Sequence, residues 1–377
     1  QYYYWTLIFV ITINQENVLT ILDNSNSPWY SVFSDRVADT CEARNLGKLL
    51  RELSCISGDF MCTTNDKPFL TYSQQIQKLS AKGLIVGDFN NAVNLLKKHS
   101  YFALISGYKS PFKSKNGTYK PHTSLDDIYS LYIFDDALRA MILRNILIVE
   151  KHIKSLISYS FCETYGEDQQ HYLNATKYNY SQTNQSDIND LIGRLSKIAT
   201  DPKDYSYIKH QIKQHGNIPL WVMMKALTLG TVSKFYSFLP QNIQAKVSIE
   251  FEHVTENELI RMLDLLARVR NVCAHNERLY NYRYNKGAIN DTAIHEYLHI
   301  RKSNVQYVKG KQDLFAVIIV LKYLLSQDEF SQFIDDIEHA LKVLFNSTRQ
   351  LQETQMYKYM GFPANWLDIK DAPLSTV

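Results

Sequence analysis

Glycine and proline are scarce in this chain, at 13 and 9 among 377 residues. Such a composition argues against a loop-rich or fibrous protein. Cysteine is scarcer still. The five residues Cys41, Cys55, Cys62, Cys162 and Cys273 form no CxxC pair and no metal-finger spacing. An odd, scattered set speaks for a reducing compartment rather than a disulfide framework. Alternating strand patterns, internal repeats and low-complexity tracts are missing too. So is any excess of one charge. The 41 Lys and Arg stand against 38 Asp and Glu, and the net +3 permits RNA binding without demanding it. The apolar run Gln1 to Ile11 is too short to span a bilayer and has neither a preceding basic region nor a cleavage site, so no signal peptide or membrane segment is expected.

What remains is a globular, helix-forming sequence. Hydrophobic residues make up 45% and charged residues 21%, enough for a sizeable buried core. The periodicity predicts helices over Ser73–Ala81, Phe89–Lys98, Asp126–Tyr165, Ile188–Thr200, Leu220–Leu229, Leu314–Leu325 and Phe330–Phe345. The segment Tyr101–Phe112, with Gly107 and Pro111, reads as a bend or a short extended piece, and 171–187 as a loop. Thr255-Glu256-Asn257-Glu258 is a capping-box signature that opens a further helix through Val269. The fold class read from this pattern is an all-α bundle. Met61 is followed by Cys62-Thr63-Thr64-Asn65-Asp66-Lys67-Pro68, which reads like a natural protein start. Residues 1–66 are therefore expected to be an N-terminal extension, non-native or poorly packed, ahead of a helical domain over 67–377.

The most informative stretch is Arg270-Asn271-Val272-Cys273-Ala274-His275, at the end of that capped helix. Arg is a permanent cation whose fork fits a phosphate. His moves protons near neutral pH. Residues five apart on a straight helix lie about 140° apart, so Arg270 and His275 share a surface only if the helix bends or ends between them, or the Arg stem curls round. Asn271 and His275, four apart, share a face. On chemistry alone, the plainer reading is an Arg and a His near a helix end that complement its dipole, and such a spacing is common. Cys273, between Val272 and Ala274, reads as a packing residue rather than a nucleophile.

The run Arg270 to Asn281 resembles the signature of the AbiD/AbiF-type abortive-infection proteins of bacteria, members of the HEPN superfamily of helical ribonucleases. Lys67–Tyr72 with Gln75, Gly83 and Leu84, then Ile218–Trp221 through Gly230–Ser233, and finally Gly361–Trp366 resemble other parts of that family in order. The resemblance implies a HEPN-like bundle with additional helices, located in the bacterial cytoplasm. It further implies a metal-independent endoribonuclease, an antiphage toxin with no cofactor. Arg270, Asn271 and His275 would be its catalytic residues, with RNA as substrate and a small RNA as antitoxin. Such sites pair two motifs face to face, so a homodimer is expected. The internal alternative is Arg144…His152, eight apart and about 80° apart on a helix. Glu150, Arg144 and Arg278 are supporting candidates, with an ordinary structural ion pair the competing reading for Glu150. A non-catalytic RNA-binding module of a defence system is the alternative function.

Three further features carry possible chemistry. Lys109, Lys113, Lys115 and Lys120 surround Asn116-Gly117, either as a solvated turn or as contacts to an RNA backbone. Arg301 and Lys302, with Lys309, Lys311 and nearby tyrosines, read as a linker or an RNA surface. His295-Glu296-Tyr297-Leu298-His299 matches the H-E-x-x-H helix of zinc proteases. Against that reading, Arg301 and Lys302 follow at once and no convincing third ligand does, although Asp313 and Glu329 lie downstream.

Overall fold

The computed structural model describes residues 68–375 and, before them, only the segments 11–13 and 19–21. The expectation for residues 1–66 lies outside the described residues, save that β1 (Ile11–Ile13) and β2 (Leu19–Ile21) pair antiparallel. The chain divides into two units, Gln1–Leu70 and Thr71–Val377. Helices dominate the second.

The early helices are α1 (Tyr72–Ser80), α2 (Phe89–His99) and the long α3 (Leu125–Tyr165). Next come α4 (Gln169–Tyr172), α5 (Gln185–Thr200), α6 (Ser206–His215) and α7 (Leu220–Met223). They continue as α8 (Leu229–Phe238), α9 (Gln241–Ser248) and α10 (Glu256–Ala274). The last are α11 (Ala293–Tyr297), α12 (Leu314–Leu324), α13 (Gln327–Ser347) and α14 (Glu353–Met360). A small hairpin, β3 (Lys302–Ser303) with β4 (Gln306–Tyr307), lies between α11 and α12.

Local chemistry sets the helix starts. Ser124 and Asp127 form a reciprocal capping box at the start of α3, and Thr255 with Glu258 does the same for α10. Ile128, Leu131, Leu138, Ile142, Ile146, Ile153 and Ile157 recur at helical spacing along α3 and are fully buried. They let α3 run through the centre, packed against α9, α10 and α13. Every residue of α12 is buried, as befits a helix apolar all round.

Two expectations need correction. Tyr101–Phe112 is not extended: it holds a π-turn at Phe102–Ser106 and a 3₁₀ turn at Ser110–Phe112. Leu220–Leu229 is not one helix. It breaks after Met223 into a 3₁₀ turn, and Thr228 caps a new helix whose first residue is Leu229.

Candidate active site

The motif occupies the last turn and the cap of α10. His275 is the final cap residue, its amide hydrogen-bonded to the Asn271 carbonyl at 2.9 Å. Asn276 then takes a left-handed conformation, φ 54°. Its amide donates to the Cys273 carbonyl, and the Glu277 amide to that of Val272. This pair of bonds is a Schellman motif with Asn in the position glycine usually holds. The helix therefore ends at His275, which is one of the conditions under which Arg270 and His275 can serve one surface.

The three motif side chains are uncommitted. Asn271 and His275 are exposed, and Arg270 is half-buried with its Nε enclosed and without a hydrogen-bond partner. Among the described residues no hydrogen bond or ion pair joins any of the three side chains to another group. Exposed side chains lose little by this, but an enclosed Nε–H is a donor held out of water without an acceptor. Cys273 is buried, and burial pushes its thiol up to about 12, which suits packing rather than attack.

A buried polar knot holds the segment that follows. Asp135 on α3, fully buried, accepts the Tyr108 hydroxyl at 2.6 Å, the Arg139 guanidinium at 2.9 Å, and the amides of Leu279 at 3.0 Å and Tyr280 at 2.6 Å. Burial pushes its carboxyl up, yet four donors face it, one of them a cation, and these favour the carboxylate. Arg139 also reaches Asp136 at 2.8 Å and the Glu277 carbonyl at 3.4 Å. Sequence reasoning missed Asp135 and Arg139. The available signal was an acid and a base four apart, beside the apolar stripe of Phe134, Leu138 and Ile142.

The supporting candidates are placed as follows. Arg278 donates to the Gly107 carbonyl at 2.7 Å and covers the Tyr280 ring, so it fastens the motif loop to the α2–α3 connection. Glu150 pairs with Lys154 at 2.6 Å, and Lys154 also donates to the Leu227 carbonyl. Arg144 is exposed on α3, and the His152 ring meets Phe251 edge-on. Lys113 donates to the Gly117 carbonyl, and Lys115 is exposed beside it. Arg301 and Lys302 are exposed, with Lys302 over the Tyr307 ring at 4.4 Å.

The H-E-x-x-H segment does not form a zinc constellation. Helix α11 stops at Tyr297, and His299 lies beyond it with φ 51°. His295 is buried, with both ring nitrogens engaged. Its Nδ1 accepts the Thr292 amide at 3.1 Å, which leaves the Nε2 proton to donate to the Gly310 carbonyl at 3.0 Å. The ring also stacks on Tyr307. Among the described residues no group of three or more His, Cys, Asp or Glu is placed to hold a metal ion.

A family model described as Abi-like protein matches residues 94–281. The match supports an abortive-infection family. It spans α3 and α10, includes Arg270–His275 and ends in the loop at Asn281. Of the four resemblance segments, Ile218–Ser233 and Arg270–Asn281 fall within it, whereas Lys67–Leu84 and Gly361–Trp366 fall outside. No curated protein and no solved structure matches the chain. Among the described residues, no helix is long and apolar enough to cross a membrane.

Proposed function

We propose that this abortive-infection protein is a metal-independent endoribonuclease of HEPN type, with its chemistry at Arg270, Asn271 and His275. The supporting observation is the uncommitted state of these three side chains on a rigid helix end. The Schellman bonds fix the backbone there, and the Asp135 knot fixes the loop that leaves it. Side chains mounted this way need little reorganisation to meet a substrate.

In this reading the RNA 2′-oxygen attacks the adjacent phosphorus, forming the 2′-O–P bond as the P–O5′ bond breaks. The imidazole of His275 takes the 2′-hydroxyl proton, and an imidazolium gives one to the departing 5′-oxygen. Arg270 stabilises the charge that builds on the non-bridging oxygens. Asn271, four residues before His275, holds the imidazole or a phosphate oxygen. The products are a 2′,3′-cyclic phosphate and a 5′-hydroxyl. Base and acid are two roles, and two motifs across a homodimer axis would supply one His to each. DNA lacks the 2′-hydroxyl and stays intact.

The test is incubation of total RNA with the protein in EDTA, beside Arg270→Ala and His275→Ala. Cleavage by the wild type alone supports the reading. Retained RNA binding without cleavage would instead support the non-catalytic module. The restraint such a toxin needs, a small RNA antitoxin, belongs to the same proposal and is open to co-purification.

A further inference from the structure

The connection between α2 and α3 gathers lysines into one cluster. The Tyr119 amide donates to the Lys82 carbonyl at 2.9 Å, and Lys113 and Tyr119 form a β-bridge. Within the loop they close, the Ser114 amide donates to the Thr118 carbonyl at 2.9 Å and the Asn116 side chain accepts the Thr118 amide. The loop is thus held by its own bonds, with the Lys113 ammonium over the Tyr119 ring at 4.8 Å. Burial lowers the pKa of Lys113, and Lys82 and Lys109 lower it further, so these ammonium groups repel one another. Among the described residues no carboxylate pairs with Lys82, Lys113, Lys115 or Lys120. A cluster of like charges is unfavourable in isolation, and a polyanion removes that cost.

The same connection carries Phe102, 82% exposed. A single exposed Phe is ordinary on a protein surface. This one follows Tyr101, which lies within electrostatic reach of Tyr119 under Lys113. It also opens a π-turn, a form often found at functional sites, in which the Gly107 amide donates to the Phe102 carbonyl. The same segment is fastened to the motif. Arg278 donates to the Gly107 carbonyl, and the Tyr108 hydroxyl joins the Asp135 carboxylate that holds Leu279 and Tyr280.

We infer that this surface is a single-stranded RNA track leading to the Arg270–His275 end, with Lys82 and Lys113 on phosphates and Phe102 stacked on a base. It rests on the ribonuclease reading for its substrate and adds the form of that substrate. An aromatic face can stack only on unpaired bases, so the track selects single strands over duplex.

The test uses the full chain with His275→Ala, which keeps the probe whole, and a fluorescein-labelled single-stranded RNA of about 16 nucleotides. Fluorescence anisotropy is expected to show Lys82→Glu/Lys113→Glu weakening binding about tenfold or more. The slope of log affinity against log salt should become shallower by about 0.7 for each phosphate that the variant no longer neutralises. Phe102→Ala should weaken single-strand binding about fivefold or more and leave duplex binding unchanged. Should the glutamate pair misfold by circular dichroism, Lys82→Gln/Lys113→Gln carries the same expectation in smaller degree. Folded variants with unchanged affinity and salt slope overturn the track even if the wild type cuts RNA, as does a duplex bound as tightly as the single strand. If the wild type cuts no RNA while these variants still lose binding, the nuclease reading falls and the track stands.

Discussion

Asp135, buried on α3, accepts the backbone amide of Tyr280 at 2.6 Å across 145 residues of sequence. The bond joins the central helix to the loop that leaves the candidate site, four residues after Asn276. Replacing Asp135 by Ala leaves two amides and the Tyr108 hydroxyl without their acceptor and takes from the buried Arg139 guanidinium, 3% exposed, its buried carboxylate partner, with Asp136 remaining. Breaking a buried pair in this way costs about 3–5 kcal/mol. Urea denaturation of Asp135→Ala is expected to show a loss of that order, and RNA cleavage should fall even where the variant is folded. A variant as stable and as active as wild type would show that the knot does not hold the site.

The corner around Gly310 predicts opposed pH dependences. Asp313 accepts the Gly310 amide, and burial pushes its carboxyl up to about 6. Its stabilising contribution is complete below the ordinary carboxylate value, near pH 4, and is lost as pH rises through about 6. His295 donates to the Gly310 carbonyl, and burial lowers it to about 4. Its contribution is complete above about pH 6.5 and is lost as pH falls through about 4. Each amounts to roughly 3 kcal/mol, so they nearly cancel in the wild type. Relative to wild type, Asp313→Asn should be worse at about pH 4.5 than at pH 7, and His295→Asn better. Urea midpoints at the two pH values check both. Differences that do not change with pH would contradict the assignment.

Two glycines separate steric need from helix propensity. Gly361 has φ 78°, and a Cβ there would stand 2.2 Å from the buried Asp313 carboxyl. Gly361→Ala is expected to destabilise by at least about 2 kcal/mol through the left-handed backbone and that overlap. Gly193, inside α5, has nothing within 4 Å of a built Cβ. Gly193→Ala should stabilise by about 0.5–1 kcal/mol, because alanine is the better helix former. Thermal melts of the two variants should therefore shift in opposite directions, and two shifts of the same sign would refute the comparison.

If catalysis needs two motifs, specific activity must fall on dilution below the dimer dissociation constant. Sedimentation velocity run beside the RNA assay measures both. Full activity per chain in a monomeric sample would show that a single Arg270–His275 pair suffices.

Much of this fold was legible because it is written in periods and caps. The stripe from Ile128 to Ile157 and the boxes at Ser124 and Thr255 each announce a helix with local chemistry. The motif was legible as residue types, and its helix-end position followed from where the apolar face of α10 gives out. Other features were not. The π-turn at Phe102–Ser106 has no period of its own, and the break after Met223 lies within an apolar run that reads as one helix. Arg278 reads as a catalytic helper in sequence, while its partner, the Gly107 carbonyl, is a backbone atom that no side-chain pattern announces. His295 and His299 have zinc spacing only if the helix continues, and it ends at Tyr297.

The decisive measurement is the end chemistry of RNA digested in EDTA by the wild type and by His275→Ala. A 2′-hydroxyl attack assisted by His275 predicts 2′,3′-cyclic phosphate and 5′-hydroxyl ends from the wild type, with none from the variant. Ends bearing 3′-hydroxyl and 5′-phosphate, or cyclic-phosphate ends that persist undiminished in His275→Ala, would contradict it.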